Sequence, residues 1–109
     1  MNTFTIVMIN HNNRPFLNET IYATTKDAIN DIAAGQIEAE DIYKIVEINL
    51  EVGTSRDVTS LVALEVWQIF DANNDYVWKE MRDWLESFDL DCEHLTGETG
   101  DLARDFYGR

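Results

Sequence analysis

The stretch from Thr59 to Phe88 most narrows what this chain can fold into. Its apolar residues recur in threes and fours: Leu61, Leu64, Val66, Trp67, Ile69 and Phe70, then a break at Asn73-Asn74, then Val77, Met81, Trp84, Leu85 and Phe88. All three tryptophans lie within it. That spacing marks two helices joined in a hairpin. The first is predicted over Ser60 to Ala72, capped by Thr59, with Val58 stapled onto Ala63. Apolar around most of its circumference, it is expected to be the most buried element. The second is predicted over Tyr76 to Ser87, after a cap within Asn73-Asn74-Asp75. It turns Val77, Met81, Trp84, Leu85 and Phe88 inward and Lys79, Glu80, Asp83 and Glu86 outward.

Thr3 to Asn10 reads as a strand and His11 to Pro15 as turn chemistry, with a short second strand at Thr20 to Ala23. A helix starts at Thr24 or Thr25, because either hydroxyl accepts from a free first-turn amide and Asp27 follows at capping-box spacing. Ala28, Ile29, Ile32 and Ala33 form its stripe, and Gly35 suits a left-handed end. Gln36 to Asp41 is an acidic connection. Ile42 to Val52 reads as a strand with Val46, Ile48 and Leu50 inward and Glu47, Asn49 and Glu51 outward. Gly53 to Asp57 reads as a turn. The pattern weakens from Asp89, so residues 89–109 are expected to be a loosely packed tail with a short helix around Leu102 to Tyr107. The fold class is therefore α+β. A small antiparallel or mixed sheet of about three strands carries one crossover helix and a C-terminal helical hairpin packed on one face. A chain of 109 residues that is 45% hydrophobic is expected to form one domain over 1–109.

Charge narrows the function. With 21 acidic against 8 basic residues, the net charge of −13 exceeds what solubility alone favours. Such a field repels phosphate backbones and anionic membranes and attracts cationic surfaces. Direct nucleic-acid binding and membrane docking are not expected. No apolar run approaches the roughly 20 residues of a membrane span. The start of the chain lacks the basic and apolar regions of a secretory signal, so a cytoplasmic location is expected. The single cysteine, Cys92, forms no intrachain disulfide.

Motifs for chemistry are weak. Asp71-Ala72-Asn73-Asn74-Asp75 opens like a calcium-binding loop. Tyr76 stands where that loop needs glycine, however, and Arg82 where it needs a bidentate glutamate. His11 and His94 are too few and too far apart for a metal site. A nucleophile built on Cys92 and His94 is opposed by Asp91 and Glu93, whose charges raise a thiol pKa. No glycine loop cradles phosphate. No catalytic residue, metal or cofactor is expected, and the chain is not expected to be an enzyme.

What remains is the distribution of acids. The N-terminal 58 residues carry 9 acids and 4 bases, and the remainder 12 and 4. Glu80, Asp83 and Glu86 are spaced by three, which puts neighbouring carboxylates about 5–6 Å apart in a helical row. Asp89, Asp91 and Glu93 extend the row, Asp75 precedes it, and Trp78 lies off the apolar line at a boundary where a partner can reach it. Asp75, Trp78, Glu80, Asp83, Glu86, Asp89, Asp91 and Glu93 are thus the candidate partner-binding residues. In size and charge alone the chain is similar to small acidic phage and mobile-element proteins that act against restriction, CRISPR or nucleoid proteins. The expectation is an inhibitor that meets the basic surface of a nucleic-acid-binding protein by phosphate mimicry. The alternatives are an immunity or antitoxin-type protein with one cognate toxin, and a structural homo-oligomer.

Overall fold

The computed structural model describes residues 2–10 and 18–95. In them β1 (Thr3–Ile9), β2 (Asn18–Tyr22), α1 (Thr25–Ala33), a 3-10 turn (Ala39–Asp41), β3 (Ile42–Asn49), β4 (Thr54–Asp57), α2 (Thr59–Asn73) and α3 (Lys79–Glu86) follow one another. The predicted turn at 11–15 and the predicted helix at 102–107 lie outside the described residues.

The strands form one antiparallel sheet in the order β2-β1-β3-β4. Because β2 and β3 both run antiparallel to β1, they are parallel to each other, and α1 carries the chain across β1 between them. The class is α+β with the crossover helix, as predicted, and the sheet has one strand more than predicted. Helices cover the face bearing Thr5, Val7, Ile9 and Ile45, all buried. Ala28, Ile29 and Ile32 of α1, Val62, Ala63, Val66 and Phe70 of α2, and Met81, Trp84 and Leu85 of α3 are buried in the same core. No helix among the described residues is long and apolar enough to cross a membrane.

α1 begins where Thr24 accepts from the Asp27 amide, and Gly35 follows its end at φ +80°. The start of α2 differs from prediction. Val58, buried, occupies the cap position and Thr59 is the first helical residue. Asp57 supplies the capping oxygen, accepting from both the amide and the hydroxyl of Thr59. These two bonds hold the Asp57 carboxyl below its ordinary range. Thr59 Oγ1 in turn accepts from the Ile45 amide at 2.9 Å, tying α2 to β3. Thr59→Val keeps the shape but leaves that amide without its acceptor. It is expected to lower stability by about 1–2 kcal/mol in urea unfolding; an unchanged midpoint would mean the bond contributes nothing.

β3 faces the other way from its prediction. Ile45 pairs with Val7 and Glu47 with Thr5, so Ile45, Glu47 and Asn49 share the covered face while Val46 and Ile48 share the open one. Leu50 lies in the turn after β3 and is 64% exposed. The inward Glu47 is satisfied there: Thr25 Oγ1 donates to its Oε2 at 3.0 Å and Arg56 Nε to its Oε1 at 3.1 Å. Since the one Thr25 hydroxyl hydrogen goes to Glu47, the buried Thr5 hydroxyl is the donor to Thr25 Oγ1, at 2.7 Å. Thr54–Asp57, predicted as a turn, pairs with β3 as a fully exposed edge strand after a turn that uses Gly53 at φ +68°.

α2 is also less enclosed than its composition predicts. Leu61 and Leu64 are 42% and 38% exposed, because α1, β3 and α3 cover only part of its circumference.

Candidate functional site

α3 carries the acidic row on a short, well-buried support. Asn74, in the left-handed region at φ 50°, ends α2, and residues 75–78 run outside any helix before α3 starts at Lys79. α3 is thus shorter at its start than predicted, and the extended Trp78 caps it without a side-chain bond. The Trp78 ring meets Phe70 edge-on at 5.8 Å and lies 3.5 Å from where a Cβ on Gly35 would stand. It is half-buried, at the boundary predicted for it. Trp84 packs inward and edge-on against Phe88 at 5.5 Å.

With Met81, Trp84 and Leu85 turned in, Glu80, Asp83 and Glu86 are turned out and exposed. Lys79 Nζ lies 2.7 Å from Asp83 Oδ2, so part of the charge in the row is answered on the helix itself. Asp75, Asp89, Asp91 and Glu93 are exposed as well. Asp89 adopts φ 64° just beyond α3, where the Leu90 amide reaches back to the Leu85 carbonyl. A carboxylate at a helix C-terminus opposes the helix dipole, and a left-handed conformation favours glycine. Asp89→Gly is therefore expected to raise stability by about 1 kcal/mol by thermal or urea unfolding; a loss of stability would show that the carboxylate holds the turn.

Residues 89–95 are anchored, in contrast to the loose tail expected. Cys92 and Leu95 enter the core, Trp67 Nε1 donates to the Asp91 carbonyl at 2.9 Å, and the Val77 amide donates to the Leu95 carbonyl. Asp91 Oδ1 accepts from the Glu93 amide, and a ring nitrogen of His94 lies 2.8 Å from Asp71 Oδ1. Asp91 and Glu93 thus stand on a short pinned segment beside α2. The Cys92 thiol is pushed up to about 11, mainly by burial and further by Glu86 and Asp91, so it is protonated at neutral pH. Asp71 and Asn73 of the calcium-like sequence engage His94 and the Ile69 carbonyl. Among the described residues, no group of three or more His, Cys, Asp and Glu side chains is placed to hold a metal ion.

One part of the acidic surface was not predicted. α3 packs against the 3-10 turn, which brings Glu38 and Glu40 beside Glu80 and Trp78 around a recess of about 330 Å³ floored by Gly35, Ile37 and Ala39. Ile37 and Ala39 are buried while Glu38 and Glu40 are exposed. That alternation was the available sign that the acidic connection is packed and presents its carboxylates in a set direction. None of the acidic side chains among the described residues is fully buried, and only Asp31, Asp41 and Glu47 are half-buried.

The chain matches no protein-family model, no curated protein and no solved structure.

Proposed function

We propose that this is a non-enzymatic acidic binding protein that inhibits a basic nucleic-acid-binding protein by occupying its phosphate-binding surface. What supports the reading is the set of outward carboxylates on α3, Glu80, Asp83 and Glu86, together with the exposed Asp91 and Glu93 on an anchored segment. Carboxylates held on a packed support lose little conformational freedom on binding, which favours association. Trp78 supports the same reading. A lysine or arginine side chain entering the recess beside it would meet Glu38, Glu40 and Glu80 together with the indole ring.

The test is capture from the source cell at low salt, with elution by a salt gradient and separately by duplex DNA. The reading expects basic proteins released by both eluents, since counter-charge contacts weaken with salt and DNA competes for the same surface. Glu80→Lys, Glu86→Lys and Glu93→Lys combined are expected to weaken capture by about 100-fold or more. All three residues are exposed, so the folded state is expected to change by less than about 0.5 kcal/mol. One captured protein that resists DNA elution would replace this reading with the immunity or antitoxin one.

A further inference from the structure

We infer that the sheet face opposite the helices is where two copies of this chain meet. The pairing register places Phe4, Ile6 and Met8 of β1, Ile21 of β2, and Val46 and Ile48 of β3 on that face. None of the six is buried, none packs against the hydrophobic core, and Ile21 is 64% exposed. An apolar patch of this kind marks an interaction surface.

Its charge pattern selects the occupant. In a chain of net charge −13, the paired strand residues on this face include Glu19, Lys44 and Asp57 as their ionisable groups among the described residues. A strongly cationic partner is therefore better served by the α3 side. The rows across the sheet are Glu19, Met8, Lys44 and, two residues along, Ile21, Ile6, Val46. A two-fold axis running along β1 between two such sheets lays each row on its own reverse. Glu19 then meets Lys44, Ile21 meets Val46, and Met8 and Ile6 meet themselves. A second copy thus supplies both the apolar match and the opposite charges. The stacked sheets, about 10 Å apart, hold the acidic helices on the two outer sides, where their repulsion is least.

The face measures about 23 Å along the strands and about 19 Å across them. The resulting footprint is about half of the roughly 800 Å² each partner contributes to a stable interface. The dimer is accordingly reversible and set by concentration. It stands independently of the proposed inhibitory role, which uses the other side of the molecule.

Sedimentation equilibrium of the full chain over a range of concentrations, at about 0.1 M and about 1 M salt, tests it. The mass is expected to rise from 12.6 kDa toward twice that value. The rise should come at lower concentration in high salt, because screening removes repulsion between two anionic molecules. That is the reverse of the salt response expected for a cationic partner. Ile21→Lys and, separately, Lys44→Glu are expected to move the midpoint to at least about tenfold higher concentration, and Glu19→Lys combined with Lys44→Glu to bring it back. Circular dichroism of each variant checks that it is folded, and Ile21 is exposed enough to be changed without disturbing the core. A monomer at every concentration in both salts overturns the inference. So does a dimer weakened by salt, or one that ignores both Ile21→Lys and the charge swap.

Discussion

Trp84→Ala is expected to lower the stability of this protein by about 3–5 kcal/mol, a large share of the roughly 5–15 kcal/mol that holds a small domain together. Trp84 is only 8% exposed and packs edge-on against Phe88. α3 is eight residues long, far below the length at which a helix persists on its own. Its helical state therefore depends on the contacts of Met81, Trp84 and Leu85, and removing the largest of them leaves a cavity under two turns of helix. The expected readouts are a lower urea midpoint and loss of near-ultraviolet circular dichroism. Trp78→Ala, at a half-buried site, is expected to have the smaller effect. A loss below about 1 kcal/mol for Trp84→Ala would show that α3 is held by something other than its buried face. The same substitution is expected to weaken partner capture, since Glu80, Asp83 and Glu86 are presented by α3.

Raising the pH from about 9 to about 11 is expected to remove about 2 kcal/mol of stability through Cys92. The thiol ionises near 9.0 when exposed and near 11 in the folded protein. Below about pH 8 it is mostly protonated in both states and contributes little pH dependence. Above pH 9 the unfolded chain releases the proton while the folded one retains it, so unfolding is favoured until the folded thiol ionises as well. Tyr22 acts in the same direction at higher pH. Burial, with its hydrogen bond to Asp31, raises its phenol from 10.0 to about 12. Urea midpoints measured from pH 8 to pH 11 check this, with Cys92→Ala as the comparison. The variant is expected to show the shallower alkaline decline, whatever its stability at neutral pH. Parallel declines would mean that Cys92 is not held as a neutral buried thiol.

The elements legible in the residues were those with a local cause. Helical spacing located α2 and the inward face of α3, and the Thr24 hydroxyl and Gly35 bounded α1. The acidic exposure of α3 was readable for the same reason, since once Met81, Trp84 and Leu85 face inward, Glu80, Asp83 and Glu86 are left on the outward side. β3 was different. Val46 and Ile48 are as apolar as Ile45, so alternation favoured the wrong face. Pairing with Val7 and Thr5 decides it, together with the bonds that Thr25 and Arg56 offer Glu47. β4, Thr-Ser-Arg-Asp, has no apolar side chain to announce a strand and is one because β3 offers it an edge.

From its sequence alone this chain is determined to be an anionic α+β domain with a buried face on each helix, because helix periodicity, caps and net charge act over a few residues or over the whole. Only the tertiary structure decided which sheet face is covered, that Glu38 and Glu40 join Glu80 and Trp78, and that residues 89–95 are anchored. Those outcomes depend on contacts between residues tens of positions apart, and no local preference distinguishes the arrangements that such contacts select.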